Sequence, residues 1–300
     1  MKPKLVLIIA IAAFTALFSP SPGLALPILG DDLASFSVLG ASTVTNVPTS
    51  TIVGSVGVWS SGGANAITGF ISEPGVAVSD PQVTSGNVHA GTALAELAQG
   101  QLTTAITNLG SLGTGTLLAE DLAGLTLFPG VYTVPAGTTN LSGTLTLDGQ
   151  GNANAAWVFQ MPSTLITSPN SVVNMINTGS SAGLFWNVGS SATIDVNTTF
   201  KGNILAYTSI SLNTVSTVLC GRALANNGAV TLQQNSLSGC LSGGLDVDGT
   251  VVTFLPYESI GNGGNGGIPP IPEPSTWLLF ATGLLCLMGF SRKKFRSKAE

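Results

Sequence analysis

The chain has 300 residues, with 9 Lys or Arg, 14 Asp or Glu and one His, a formal charge of −5. Seven of the cations sit at the two ends, so the body keeps only Lys201 and Arg222 against twelve acids, about −10. A body so poor in cations cannot neutralise a phosphate backbone, which excludes nucleic acid as a partner, and the single His89 argues against the commonest acid–base and metal chemistries.

In chain order, Met1 to Ala25 carries Lys2 and Lys4, an apolar run from Leu5 to Phe18, and the end Gly23-Leu24-Ala25. That is the three-part pattern of a secretory signal peptide cleaved after Ala25. An uncleaved anchor is the alternative, although the run is short for a membrane span. Phe36 to Val58 is strand-like and broken by Gly54 and Gly57. Ser60 to Asp80 reads as loop and short strand. The spacing of Leu94, Ala98, Leu102, Ala105 and Leu109 predicts a helix over Val88 to Leu109. Its single apolar stripe suits packing along the side of something longer. Gly100 weakens it by about 1 kcal/mol relative to Ala. Gly110 to Gly115 is a loop, and from Leu125 a β region runs to about Thr253.

Within that region five similar strand signals form a ladder: Gly143–Leu147, Ser163–Thr167, Ser190–Ile194, Thr208–Leu212 and Gly228–Leu232. Alternate strand residues face opposite sides. Leu145, Leu165, Ala192, Ile210 and Val230 then point inward. Thr144, Thr146, Ser191, Thr193, Ser209, Ser211, Ala229 and Thr231 point outward, and Ile166 breaks the pattern in the second rung. The middle residues lie 20, 27, 18 and 20 apart, about one coil of a β-solenoid with one longer coil. Stacked rungs give a flat face of short hydroxyl and methyl groups, better suited to ordered water than to an organic substrate. A plainer reading is that Thr favours strands and solvates their outer face. Trp157, Phe159, Phe185, Trp186, Phe200 and Tyr207 recur between the rungs among apolar residues, mostly as a core stack.

Cys220 and Cys240 are 20 residues apart in the exported body. An oxidising compartment permits a disulfide between them on neighbouring rungs, pinning a last coil whose end is otherwise open. Two free buried thiols are the alternative. Gly261 to Gly267 is a Gly/Asn linker, followed by Ile268-Pro269-Pro270-Ile271. Then come Pro272-Glu273-Pro274, an apolar run from Trp277 to Phe290 containing Cys286, and the basic end Arg292 to Arg296, which stays cytoplasmic by the positive-inside rule.

This tail resembles the PEP-CTERM sorting signal of Gram-negative bacteria. The resemblance implies processing by an exosortase-type enzyme near Pro272, Glu273 and Pro274, with a transmembrane helix holding the chain at the membrane beforehand. A permanent C-terminal anchor is the alternative, and both readings place the body outside the cytoplasm. The body, from about Leu29 to Gly243, resembles the microbial ice-binding protein family. The most specific stretches are Trp186 to Thr193, Lys201 to Ala206 and Gly221 to Thr231. The resemblance implies a mostly β fold: an irregular right-handed parallel β-solenoid with one long α-helix packed alongside. It also implies an ice-binding face of Thr-(Ala/Gly)-any-(Thr/Asn) strands. The match to that motif is partial. Thr208-Ser209-Ile210-Ser211 keeps its shape, while Gly143–Thr146, Ser190–Thr193 and Gly228–Thr231 keep only the final Thr.

The organisation read from the chain is a signal peptide over 1–25, a solenoid domain over 26–260, a linker over 261–271 and a sorting segment over 272–300. Three functions compete: an exported ice-binding protein, a surface or matrix adhesion protein of the same fold, and a polysaccharide-cleaving β-helix enzyme. The enzyme needs clustered carboxylates. The only close acid sets are Asp31-Asp32, Glu120-Asp121 and Asp246/Asp248, all in loop-like text. No catalytic residue, metal site or cofactor is assigned. Ice or ordered water is the expected partner.

Overall fold

Short apolar–hydroxyl alternations, interrupted every few residues by Gly, Asn or Ser, make brief strands that turn corners. The computed structural model describes residues 28–60, 66–179 and 181–240. The signal-peptide, linker and sorting-segment expectations, with Asp246 and Asp248, lie outside these.

The strands form three sheets. The ten-stranded sheet runs, in spatial order, Ala77–Val78, Val88–Ala90, Ser55–Val58, Phe36–Gly40, Ala223–Ala225, Asn203–Ala206, Gly183–Val188, Ala156–Met161, Gly130–Thr133 and Thr116–Leu117. The eight-stranded sheet runs Thr126–Leu127, Thr144–Asp148, Val172–Ile176, Thr199–Lys201, Thr217–Leu219, Ser236–Ser238, Thr51–Val53 and Val83–Thr84. The six-stranded sheet runs Leu165–Ile166, Ala192–Ile194, Ile210–Leu212, Val230–Gln233, Thr43–Val47 and Ala66–Thr68. The first coil, and the coils from Ala156 onward, visit the ten-, six- and eight-stranded sheets in turn, as in Asn203–Ala206, Ile210–Leu212 and Thr217–Leu219. Among the paired strands only Ala77–Val78 is antiparallel to its neighbour. This is the parallel β-solenoid with one long helix that the sequence implied.

The coils do not stack in sequence order. The first coil sits directly on the last: Leu39 pairs with Leu224, Val44 with Val230, and Thr51 with Ser236. The last described coil therefore has no open end, contrary to the sequence expectation. An unpaired strand edge exposes a row of backbone groups, and the N-terminal coil covers it.

That order obliges the chain to travel from one end of the stack to the other, and the helix Ala93–Ser111 makes the journey. Its 19 residues span about 28 Å, roughly six strand spacings. It starts later than the Val88 expected, because Val88–Ala90 pairs in parallel with Val56–Val58. Thr92 then caps it, its side chain accepting from the Ala95 N–H. Ala95, Ala98, Leu102, Ala105 and Leu109 are fully buried against Leu39, Val158, Phe185, Leu205 and Leu224. Leu94, part of the expected stripe, is only half-buried. The ten-stranded sheet is thus covered on both surfaces, which leaves the other two sheets as the exposed faces.

Inside the coils, Tyr132, Phe159, Trp186 and Phe200 stack ring on ring, with Phe159 and Trp186 centroids 4.1 Å apart. The Trp186 indole donates to the Lys201 carbonyl at 3.0 Å. Phe185 faces the helix instead, and Tyr207 is 53 % exposed, outside the expected stack. The long coil between Leu165 and Ala192 carries the five- and six-residue strands Val172–Ile176 and Gly183–Val188, which flank this aromatic section.

His89 is buried where the helix begins, its Nδ1 3.2 Å from Thr92 Oγ1 and its ring edge-on to Phe36. Burial lowers its pKa below the ordinary 6.5. The unfolded chain therefore binds more protons than the native one. Stability is full above about pH 6.5 and falls as the pH drops from there toward the native value. Urea midpoints at pH 7 and pH 5 should show this loss in the wild type and a smaller one in His89→Gln.

Candidate functional site: the six-stranded face

Six coils present one strand each to this face. Leu165, Ala192, Ile210, Val230, Val44 and Ile67 point into the core, none more than 7 % exposed. The next residue of each strand points out. Register aligns these outward residues into one rank: Ile166, Thr193, Ser211, Thr231, Thr45 and Thr68. Neighbours in the rank are about 4.8 Å apart, the spacing of paired strands. Among the described residues no protein group hydrogen-bonds any of the five hydroxyls. The rank holds no charged residue and no ring. Asp195, just beyond Ile194, accepts from Asn213 Nδ2 at 2.9 Å.

Of the residues expected on the face, Thr193, Ser211 and Thr231 are in the rank. Ser191, Ser209 and Ala229 sit two positions earlier. The Ser191 hydroxyl accepts the Ser209 N–H at 3.4 Å, and the Ser209 hydroxyl accepts the Ala229 N–H at 3.2 Å. Those hydroxyls tie coil to coil. Gly228 has no room for a side chain, since a Cβ there would strike Ser209 Oγ. That is why this strand lacks the first Thr of the motif.

Thr144 and Thr146 belong elsewhere. Their strand pairs with Val172–Ile176 in the eight-stranded sheet, so the first rung of the expected ladder is on a different face. The interval of 20 to the next rung is only part of a coil, lengthened by the loop between Asp148 and Ala156. Conversely, Thr43, Thr45 and Thr68 escaped the ladder because they precede it by a long stretch of sequence. The signal was present: Thr43-Val44-Thr45 has the same hydroxyl–apolar–hydroxyl alternation.

A buried polar ladder stiffens the corner beyond this face. Ser171, Thr198, Ser216, Asn235 and Ser50 are all 1 % exposed or less. Ser171 Oγ donates to the Leu141 carbonyl at 2.7 Å. Asn235 Nδ2 donates to the Asn213 and Ser216 carbonyls at 2.9 and 3.0 Å. Ser50 Oγ accepts the Asn235 N–H at 3.0 Å and donates to Asn46 Oδ1 at 2.7 Å, joining first coil to last. At the opposite corner the Cys220 and Cys240 sulfurs are bonded, with Cα atoms 4.3 Å apart. Arg222, 4 % exposed, donates from Nη2 to the Ala34 carbonyl at 2.8 Å, from Nη1 to Asn203 Oδ1 at 2.8 Å and to the Cys240 carbonyl at 2.9 Å. Burial pushes its pKa down to about 10, so it stays charged at neutral pH.

The two close acid sets among the described residues have structural uses. Asp32 Oδ2 accepts from Gln101 on the helix at 2.8 Å. Asp121 accepts the Ser142 hydroxyl and the Ala123 and Ser142 N–H groups. Partial burial opposes its ionisation, but these bonds outweigh it and hold the carboxyl below the ordinary range. Among the described residues no group of three or more His, Cys, Asp or Glu is placed to hold a metal, and no helix is long and apolar enough to cross a membrane. The Trp277–Phe290 run lies outside them.

The fold and this face define a helix-flanked parallel β-solenoid with an uncharged, in-register rank of hydroxyls on one face. Residues 38–238 match the family model described as ice-binding-like, and the chain belongs to that family. Residues 270–293 match the PEP-CTERM protein-sorting motif. An ice-binding protein of Nostoc sp. (strain HG1) is 38% identical over 295 residues, covering 98% of this chain and 97% of that protein. Among solved structures, an ice-binding protein from an Antarctic biological consortium is similar with a TM-score of 0.60 and 32% identity, over 73% of this chain and 93% of that one. A domain of Shewanella frigidimarina ice-binding protein 1 is similar with a TM-score of 0.62 and 26% identity, over 72% of this chain and 98% of that one.

Replacing Arg222 with Met leaves the Ala34, Asn203 and Cys240 oxygens without their donor in a buried setting. The expected loss is about 3 kcal/mol of unfolding free energy. Denaturant midpoints check it, and a loss under about 1 kcal/mol would mean that strand pairing alone holds the first coil.

Proposed function

We propose that this is an exported, non-enzymatic ice-binding protein and that the rank Ile166–Thr193–Ser211–Thr231–Thr45–Thr68 lies at the centre of its contact face. The observation that carries this reading is the rank itself: small hydroxyl and methyl groups, in register over six coils, with no hydroxyl bonded to another of the described residues. The names of its relatives support it. Methyls and hydroxyls at fixed spacing order the water beside them into a layer that joins the crystal. The buried polar ladder and the helix hold the face rigid, so little ordering entropy is lost at contact. Adsorbed protein then curves the ice front between attachment points and slows its growth.

Thr193→Tyr and Thr45→Tyr each raise a ring from the face, in coils from opposite ends of the sequence. Both should abolish most of the thermal hysteresis and alter ice-crystal habit, with stability changed by no more than about 0.5 kcal/mol. Active protein with both variants fully active would place the contact elsewhere.

A second reading is a surface or matrix adhesion protein using the same fold, favoured by the sorting motif over residues 270–293. Wild-type protein that leaves ice growth unchanged would favour it. In both readings the chain is secreted or held at the surface of a Gram-negative cell. It is anchored by its C-terminal span until an exosortase-type enzyme processes it near Pro272-Glu273-Pro274. Intact mass of the exported protein should lack Met1–Ala25 and the residues after about Pro274; retention of Trp277–Glu300 would indicate a permanent anchor.

We also infer that the Cys220–Cys240 bridge forms on export. The 20-residue separation corresponds to about 3 kcal/mol of loop-closure stabilisation. Reduction of the exported protein should lower its unfolding free energy by about that amount, as read from denaturant midpoints with and without reductant.

A further inference from the structure

The eight-stranded sheet is the other exposed face, and it carries a rank of its own. Register aligns Thr144 with Val172, Val172 with Thr199, Thr199 with Thr217, Thr217 with Ser236 and Ser236 with Thr51. All six point outward, flanked along their strands by buried Leu145, Val173, Phe200, Val218, Leu237 and Ile52. Of the five hydroxyls, only that of Thr217 meets a group among the described residues, the Thr198 carbonyl at 3.5 Å.

The two ranks match coil by coil. Thr193 and Thr199 share a coil, as do Ser211 and Thr217, Thr231 and Ser236, and Thr45 and Thr51. The coil that has Ile166 on one face has Val172 on the other, so the hydroxyl is missing from both ranks in the same place. In each of these coils the buried Ser171, Thr198, Ser216, Asn235 or Ser50 immediately precedes the second-rank residue. One polar ladder therefore fixes both ranks.

The corner between the ranks exposes three valines beside the polar Thr49, Asn170, Asn197 and Gln234. Val47 is 51 % exposed, Val196 37 % and Val215 51 %. Val215 has φ 62, in a turn position held by Asn170 at φ 63 and Asn197 at φ 57 in other coils. A β-branched residue rarely adopts this conformation, which Asn takes readily. Solvation of a turn calls for Asn here; a strained, exposed valine calls for a surface that meets something other than bulk water.

We propose that the eight-stranded face is a second ice-contacting surface, joined to the first through the valine corner, so that one molecule engages two differently oriented ice surfaces. This rests on the ice-binding reading of the six-stranded face. The neighbouring column of the second face includes Lys201 and Leu219, so its contact is a single rank and the weaker of the two.

The test uses fluorescently labelled mature protein adsorbed to a single-crystal ice hemisphere, together with thermal hysteresis. The variants are Thr199→Tyr/Thr217→Tyr on the second face, Thr51→Tyr in another coil of that rank, and Thr193→Tyr on the first. Melting curves select variants that keep the fold. Wild type should decorate two sets of ice planes. Thr51→Tyr or the double variant should lose one set and a measurable part, under about half, of the hysteresis, and Thr193→Tyr should lose the other set and most of the hysteresis. Second-face variants that fold, decorate the same planes as wild type and keep its full hysteresis would overturn the proposal while leaving the first face intact. Wild type that decorates no plane would overturn the ice-binding reading itself.

Discussion

The backbone pairing of the first coil with the last is the constraint on which the rest of this molecule depends. A parallel solenoid leaves a row of unsatisfied N–H and C=O groups at each end of every sheet. Here the coil Phe36–Val53 closes one such end, and its strands continue all three sheets without a break. Arg222 reaches across that seam to the Ala34 carbonyl, and Asn235 and Ser50 bond across it inside the corner. Because the seam joins residues far apart in sequence, the connecting helix must span the stack. The helix in turn buries the outer surface of the ten-stranded sheet. Seam, helix and choice of exposed faces are consequences of one pairing.

The same pairing makes the contact face large enough to be useful. Without the first coils, the outward rank would consist of Ile166, Thr193, Ser211 and Thr231. Thr45 and Thr68 extend it with the two residues that are most open to solvent. A binding mode that depends on area and flatness gains from each added rung, because the rigid scaffold has already met the entropy of ordering it. Beneath the rank, equivalent positions of successive coils carry Ala192, Ile210, Val230 and Val44, all buried. Phe159 and Trp186 sit on the ten-stranded side of the coils that carry Leu165 and Ala192, the coils with the longest strands.

Polar groups inside the solenoid contribute rigidity. A buried hydroxyl or amide without a partner costs about 1–3 kcal/mol. The corner side chains avoid that cost by bonding to the carbonyls of neighbouring coils. Each satisfied corner fixes the strand that leaves it, and so fixes the outward residues that follow.

The alternation of apolar and hydroxylated residues by itself determined that the chain forms short strands, which side chains face inward, and that one amphipathic helix lies against them. These are local properties, set by periods of two and 3.6 residues along the chain. Thr193, Ser211 and Thr231 were legible for that reason. Tertiary structure alone decided which rungs are neighbours. Thr144 and Thr146 satisfy the alternation as well as any residue, but the chain reaches them on the eight-stranded side. Thr45 and Thr68 lie far from the ladder in sequence and beside it in space. Spacing between rungs counts residues, and loops of unequal length break its relation to coils. Which face a rung occupies is settled by hydrogen bonds between strands that the linear sequence does not place together.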